Sequence, residues 1–226
     1  MLVYEPVSSR TFLLAIHYAY AICRREDLEL KKSLFYHVHV PAYVKRHVAK
    51  DFPDVLTIGM VRDPRANVSG RYNHSLAAVD SERLNTSDAL IYSRHNYRVT
   101  AKLIYDGLEV LRGLPEENYV VVRTEDLHFR RDDVMQAITK FMGISDDSCL
   151  QQMTFGGLEW WGDTIYGIKP MNTFNPRVVS ERWKKTIGWA DWYVFEGLLC
   201  NFFDRYGYPR EKYVSDTWIN RLILFL

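Results

Sequence analysis

The sequence lacks an excess of either charge, a dense cysteine pattern and a long apolar run. Its 29 lysine and arginine residues nearly cancel 28 aspartate and glutamate residues. We therefore expect no nucleic-acid or anionic-membrane partner, and any anion binding has to be local. Cysteines stand only at positions 23, 149 and 200, without a C-x-x-C pair. This spacing predicts neither a disulfide framework nor a zinc site, and it favours a reducing, cytoplasmic location.

No apolar run approaches the roughly 20 residues that a transmembrane helix needs. The first residues also do not have the basic, apolar and small-residue order of a signal peptide. The sequence therefore predicts no membrane span. A length of 226 residues allows one sizeable core, and a single domain over residues 1–226 is expected.

Four strand-like runs alternate with helical patterns, at residues 2–5, 33–40, 55–61 and 118–123. This alternation predicts a three-layer α/β fold around a mainly parallel sheet of four to five strands. Apolar residues recur at helical spacing in the segments FLLAIHYAYAICRRE and DDVMQAITKFMGI. Residues 145–180 lose periodicity, which is typical of a functional lid or binding loop. Aromatic residues make up 14% of the chain, and they fit a ring-lined pocket as well as an ordinary core.

The central stretch is Val55–Gly70, VLTIGMVRDPRANVSG. Its continuous apolar run suits an inner strand covered on both faces, and ligands of such sheets bind beyond the carboxyl ends of the strands. Arg62, Asp63 and Arg65 stand at that end, which indicates an anion site. The alternative is that Asp63 caps a helix, Pro64 opens it, and both arginines are solvated.

The segment Arg62-Asp63-Pro64-Arg65, followed by a serine, resembles the 3′-phosphate motif of sulfotransferases that use 3′-phosphoadenosine 5′-phosphosulfate. The resemblance implies that Arg62 and Ser69 hold the 3′-phosphate. The family places the serine eight positions after the arginine. Here Ser69 is seven positions after Arg62, and Gly70 occupies the eighth.

The N-terminal segment resembles the phosphosulfate loop of the same family, Pro-Lys/Arg-Ser-Gly-Thr-Thr-Trp/Phe-Leu. The matching residues are Pro6, Ser8, Thr11, Phe12 and Leu13, whereas Val7, Ser9 and Arg10 depart from the pattern. The resemblance implies that Ser8, Ser9, Arg10 and Thr11 cradle the 5′-phosphate and that Phe12 lies against the adenine. Arg10 would replace the missing loop lysine in catalysis. The alternative is a plain capped helix.

His37-Val38-His39-Val40-Pro41 resembles the family's Lys-Thr-His-Leu-Pro segment. The resemblance makes His39 the general base and puts His37 in the position of the catalytic lysine. His74 and Glu5 are more distant choices for the base. A partly buried strand histidine bonded to a backbone carbonyl is the structural alternative.

The strand at 119–123 and the following Thr124-Glu125-Asp126-Leu127 resemble the family's Arg-Tyr-Glu-Asp-Leu module. Thr124 stands where the family has the tyrosine that reaches the adenine. We expect Glu125 and Asp126 to cap the next helix and to pair with Arg123 or Lys140.

The C-terminal region resembles bacterial and carbohydrate sulfotransferases, whose basic residues close over the 3′-phosphate. The candidates for that role are Arg177, Arg182 and Lys184.

Together these landmarks imply a P-loop NTPase-like sulfotransferase fold. The implied reaction moves a sulfonate group from 3′-phosphoadenosine 5′-phosphosulfate to a hydroxyl or amine of a small-molecule, carbohydrate or lipid acceptor. Adenosine 3′,5′-bisphosphate would leave, and no metal would be required. Two alternatives are a non-catalytic nucleotide-binding or interaction protein of the same fold and a P-loop nucleotide kinase. The kinase is disfavoured because no Gly-Lys-Ser/Thr is present to hold phosphates and magnesium.

Overall fold

The structure is a computed structural model, and the part of the chain that it describes is interrupted by gaps. The described residues are 7–30, 33–39, 41–80, 103, 107, 113–152, 154–155, 158–159, 181–186, 188 and 195–211. The chain divides into two compact units, Met1–Val55 and Leu56–Leu226, which we describe separately. A single domain over residues 1–226 stays a prediction.

The regular secondary structure described in the first unit is helical. Helix α1 spans Ser9–Cys23, as the apolar spacing predicts, and a 3₁₀ turn follows at Leu28–Leu30. A helical stretch then runs through Pro41–Tyr43, Val44–Val48 and Ala49–Asp51, and its middle part is a π-helix. Ala21 is the one buried apolar residue among those described in this unit.

The predicted strand at 33–40 is wrong over residues 33–39, which have no strand pairing. Leu34, Phe35 and Tyr36 are exposed there, Phe35 by 78%. Strand propensity of aromatic and branched residues takes effect only when a neighbouring strand and a packing surface are supplied. The run predicted at 2–5 lies outside the described residues.

The second unit contains the parallel strand pair. Strand β1 spans Thr57–Val61, strand β2 spans Tyr119–Arg123, and their register pairs Thr57 with Tyr119 and Val61 with Arg123. Two of the predicted strands and their parallel arrangement are thus confirmed. A short antiparallel pair, β3 at Thr154–Phe155 and β4 at Leu158–Glu159, lies where the sequence gives no periodicity.

A helix follows each strand of the parallel pair. Helix α2, Pro64–Asp80, follows β1, while α3, Thr124–Phe129, and α4, Arg131–Met142, follow β2. A 3₁₀ turn, Glu116–Asn118, leads into β2, and two more lie at Ser148–Gln151 and Glu181–Lys185. Near the end, residues 195–198 are helical and α5 spans Cys200–Tyr206. Among the described helices, none has the length and apolar character that crossing a bilayer requires.

The core of this unit joins α2 to the C-terminal helical region. Its buried members come from α2, the 3₁₀ turn at 181–185 and the helical segments after residue 194. They are Ala66, Val68, Trp183, Phe195, Leu199, Phe202, Phe203 and Tyr208. Helix α5 ends at Gly207, whose φ of 65° is the left-handed conformation that glycine adopts without strain. This reversal lets the Tyr208 N–H donate to the Phe203 carbonyl at 2.9 Å and returns the Tyr208 ring to the core.

Candidate functional site

The carboxyl ends of β1 and β2 meet at one edge of the parallel pair. Arg62 directly follows β1, and Thr124 directly follows β2. The Thr124 hydroxyl donates to the Val61 carbonyl at 3.1 Å, which ties the two strand ends together. Arg62 is half-buried at this edge. An arginine in this position is suited to an anionic ligand, because open parallel sheets bind ligands beyond the carboxyl ends of their strands.

The residue after Arg62 bonds to Glu125, which Tyr208 in turn holds in place. The Asp63 N–H donates to Glu125 Oε1 at 2.9 Å, and the Tyr208 hydroxyl donates to Glu125 Oε2 at 2.8 Å. Glu125 and Tyr208 are both buried. Burial raises the pKa of Tyr208, and the negative charge of Glu125 raises it further, so the hydroxyl stays protonated and donates at neutral pH. The backbone next to Arg62 is therefore anchored to α3 and to the chain beyond α5.

Arg65 is buried, which contradicts the alternative that both arginines are solvated. Its side chain is 2% exposed, and its Nη2 lies 2.7 Å from Asp63 Oδ2 while its Nη1 lies 2.5 Å from Glu196 Oε1. Nη2 also donates to the Pro209 carbonyl at 2.9 Å. The structural reason is that a planar guanidinium supplies five donors in a fixed fork, so one arginine satisfies two buried carboxylates and a carbonyl.

The guanidinium of Arg65 also packs between aromatic rings. It lies 4.3 Å from the ring centre of Trp183 and 4.9 Å from that of Phe203. Burial alone would lower the pKa of Arg65, but the hydrogen bonds and charges of Asp63 and Glu196 outweigh it and raise the pKa above its ordinary value. Arg65 is thus a permanently charged link between α2 and the C-terminal helices.

The cap predicted for Asp63 is confirmed. Asp63 Oδ1 accepts the Arg65 N–H at 2.9 Å, the Asp63 carbonyl accepts the Asn67 N–H at 2.9 Å, and Pro64 is the first helical residue. The N–H groups of Asp63 and Arg65 therefore both have acceptors within the protein.

The pairing of Asp126 is confirmed, whereas Glu125 has other partners than we expected. Asp126 Oδ2 lies 3.7 Å from Arg123 Nε, and Asp126 Oδ1 lies 3.3 Å from Arg130 Nη2. The expectation that Glu125 pairs with Arg123 or Lys140 is wrong, since its two oxygens receive the Asp63 N–H and the Tyr208 hydroxyl. A buried carboxylate takes the donors that the fold brings to it, and those come from distant segments.

Ser69 and Gly70 occupy different environments on α2. Ser69 is buried, at 5% exposure, and lies one turn after Arg65 on the same helix face. Gly70 is exposed, and a Cβ added there would meet no atom within 4 Å. The position where the family places its serine is therefore open, and the serine that this chain has is one residue earlier on the packed face.

In the first unit, the predicted 5′-phosphate loop forms a capped helix start. Ser8 Oγ accepts the Thr11 N–H at 3.1 Å and lies 2.8 Å from Thr11 Oγ1. The Arg10 guanidinium stacks on the Phe52 ring at 5.2 Å from its centre. Ser9 and Phe12 are exposed, the latter by 61%. The plain capped helix that the sequence leaves as an alternative describes these contacts well, and phosphate binding by this loop stays a prediction.

The two histidines proposed for catalysis lie side by side. The rings of His37 and His39 are 4.4 Å apart between centres, and both are exposed. They belong to an irregular segment with a bend at His39, so the strand histidine of the structural alternative is also not seen. Nearby, the Tyr36 hydroxyl bonds to His17 Nε2.

The C-terminal basic residues are described only in part. Lys184 Nζ lies 2.6 Å from Glu211 Oε1, and this hydrogen bond lowers the pKa of Glu211. Arg182 belongs to the 3₁₀ turn Glu181–Lys185, and its side chain is outside the described part. Arg177 and Glu5 lie outside the described residues altogether, as does the side chain of His74.

The sequence did not predict Glu196, the acidic residue that pairs with Arg65. Glu196 is 0% exposed, although no sequence motif contains it. A signal was present, because it is the one acidic residue in the apolar run VFEGLLCNFF, and a lone charge in such a run indicates a buried ion pair. Among the described residues, no group of three or more His, Cys, Asp and Glu side chains is positioned to hold a metal ion.

These observations define the class of protein, which is an α/β protein with a parallel strand pair and an arginine at the carboxyl edge of that pair. No family model matches the sequence, and no curated protein matches it. A search of solved structures finds the sulfotransferase domain from the curacin biosynthetic pathway, with a TM-score of 0.51 and 15% sequence identity. The match covers 74% of this chain and 60% of the curacin-pathway domain. The similarity shows a sulfotransferase-like fold.

Proposed function

We propose that this chain binds a 3′-phosphorylated adenine nucleotide through Arg62 and transfers a sulfonate group from 3′-phosphoadenosine 5′-phosphosulfate. The observation that carries the proposal is the position of Arg62, half-buried at the carboxyl edge of β1 in a fold similar to a sulfotransferase domain. A guanidinium binds phosphate through two parallel charge-assisted hydrogen bonds, which supplies both affinity and orientation.

The surrounding network supports this role because it fixes the backbone on which Arg62 stands. Asp63 and Arg65 use their polar groups on each other, on Glu125 and on Glu196. Asp63 and Arg65 therefore have structural roles in the motif. The proposal assigns the ligand-binding role to Arg62, which stands at the end of β1 beside this network.

Sulfonate transfer sets two further requirements. Negative charge grows on the leaving phosphate oxygen, and N–H donors or a cation must stabilise it. A base must also take the proton of the acceptor, and a histidine with a pKa near neutrality is suited to that task. We assign the first requirement to the loop Ser8–Thr11, which includes Arg10, and the second to His39, with His37 beside it. Thr124, Arg177 and Arg182 are proposed as further nucleotide contacts.

The proposal is tested by calorimetric titration with a pair of ligands that differ in one group. Adenosine 3′,5′-bisphosphate carries the 3′-phosphate, and adenosine 5′-monophosphate lacks it. We expect the bisphosphate to bind more tightly, and Arg62→Ala to weaken it by about 2–3 kcal/mol, the loss of one buried charge-assisted contact. This is roughly 30- to 150-fold. Binding of the monophosphate should change little.

Lys140→Ala is the matched control, because it removes an exposed positive charge from α4. It should leave both affinities unchanged. Equal affinity of folded wild type and Arg62→Ala for the bisphosphate would end the proposal. Tighter binding of ATP–magnesium than of the bisphosphate would favour the nucleotide kinase.

Gly70 offers a gain-of-function test. Gly70→Ser places a hydroxyl where the family has one, and the space around the position admits it. We expect tighter binding of the bisphosphate by a few-fold, in the range of one added hydrogen bond. Gly70→Ala raises helix propensity without adding a hydroxyl, so it separates helix stabilisation from phosphate binding. Equal affinity in both variants would mean that the phosphate does not reach this position.

A second candidate function is nucleotide binding without catalysis. It is favoured by the first loop, where Val7 stands in the position of the family's basic residue and Arg10 stacks on Phe52. The test is Val7→Lys, at a side chain that is 64% exposed and can be enlarged freely. If the chain is a slow enzyme, turnover of labelled donor should rise. If turnover is absent in both proteins while the bisphosphate binds, the non-catalytic function is the better one.

A further inference from the structure

His128 lies on the helix face that is turned toward the end of β1. It is the fifth residue of α3, one turn after Thr124, so the two side chains share a face. Thr124 fixes the direction of that face, because its hydroxyl donates to the Val61 carbonyl, directly before Arg62. His128 is half-buried. No motif of the sequence points to it.

The charged groups around His128 act in opposite directions. Burial lowers the pKa of His128, the positive charge of Arg62 lowers it further, and the negative charge of Glu125 raises it. Glu125 is engaged by Asp63 and Tyr208. In the free protein the imidazole is therefore neutral at pH 7, next to a permanent cation.

Several other charges of the neighbouring elements form ion pairs of their own. On α3, Asp126 pairs with Arg123 and Arg130, and at the start of α4 Arg131 lies 2.8 Å from Asp132. An anion arriving at Arg62 would change the balance at His128. It would neutralise the positive charge that disfavours protonation and would offer an acceptor to the imidazolium.

We propose that His128 is a second ligand of the anion that Arg62 binds, and that it takes up a proton as a phosphate or sulfate ester dianion enters. This inference rests on the proposed anion site at Arg62 and adds a residue and a pH dependence to it. Affinity for a dianion should then increase as the pH falls, because the protonated form of His128 binds the anion better.

The direct test is NMR of the full chain with labelled histidine, with the His128 signal assigned by its loss in His128→Gln. Its pKa is measured without ligand, with saturating adenosine 3′,5′-bisphosphate and with sodium sulfate. Sulfate keeps two charges over the whole range, so its own ionisation does not interfere. We expect the bisphosphate to raise the pKa of His128 by about one unit, which means about tenfold tighter binding to the protonated form.

Variants separate binding from a merely structural role. His128→Gln should remove the pH dependence of sulfate affinity between pH 5 and 7, a range in which sulfate itself does not titrate. His128→Lys should retain tight sulfate binding without pH dependence, because it supplies a permanent charge. If His128 had only a structural role, lysine in its place would not retain tight binding.

The failures of the two proposals are distinguishable. If the bisphosphate binds in an Arg62-dependent manner while the pKa of His128 stays constant, this inference is wrong and the proposed function stands. If the bisphosphate does not bind, the proposed function fails and the sulfate titration decides. A sulfate-induced pKa rise that Arg62→Ala abolishes supports the shared anion site, and no rise overturns it.

Discussion

The segments 62–65 and 8–12 make opposite use of their polar side chains. In the first, Asp63 and Arg65 are buried and connected to residues more than 60 positions away. In the second, Ser8 and Thr11 bond only to each other and to their own helix, and all five side chains are exposed. The first segment is positioned by the core. The second is positioned by local capping and by the contact of Arg10 with Phe52, so a ligand would have to order its exposed side chains.

The largest effect on activity is expected at His39, whose side chain is exposed like those of segment 8–12. His39→Ala should lower turnover of the labelled donor by roughly 10²–10⁴-fold, as expected for loss of a positioned base. Unfolding in urea should be unchanged, because an exposed side chain away from a network rarely matters for stability. His37→Ala is the matched neighbour. Retained turnover in His39→Ala would show that the base lies elsewhere.

Arg65→Ala should cause the largest loss of stability, about 3–5 kcal/mol, because the buried carboxylates of Asp63 and Glu196 would lose their counter-charge. The measurement is the free energy of unfolding from a urea titration. Arg130→Ala is the control, since its guanidinium side chain is 61% exposed and pairs with Asp126 at the surface. That variant should lose at most about 1 kcal/mol. Equal losses in the two variants would contradict the view that segment 62–65 is held by the core.

Tyr208→Phe should cost about 1–3 kcal/mol, because it leaves one oxygen of the buried Glu125 without its donor. The loss should also depend on pH. The pKa of Tyr208 is raised by burial and by Glu125, so above a pH of about 10 the tyrosine ionises in the unfolded chain before it does so in the folded protein. Stability from this group is complete below that pH and falls as the pH rises.

Urea titrations of wild type and Tyr208→Phe at pH 8 and 10.5 measure this effect, with Tyr20→Phe as the exposed control. The wild type should lose more stability between the two pH values than Tyr208→Phe does. Parallel losses would mean that Tyr208 is not a buried donor.

Ser8→Ala should have the smallest effect, about 1 kcal/mol, because it removes the side-chain cap of α1. Ser9→Ala, at the adjacent exposed serine, should stay within about 0.5 kcal/mol. Helix content from circular dichroism and the urea midpoint are the measurements. If both serines cost the same, the cap does not position this segment.

The sequence by itself determined the elements whose information is local. The apolar spacing predicted α1 and α4, the continuous apolar runs predicted β1 and β2, and the order Asp63-Pro64 predicted the start of α2. It also put Arg62 at the end of a strand. Each of these follows from neighbouring residues, because helix and strand periods and caps are properties of short segments.

Only the tertiary structure decided which charged residues serve the fold. Arg65 and Glu196 are 131 positions apart, and Glu125 meets Tyr208 across 83 positions, so no local pattern contains either pair. The same limit explains the strand expected at 33–40, since an isolated run cannot show whether a partner strand is supplied. A buried charge is stable only with its counter-charge, and the packing of distant helices determines where that counter-charge lies.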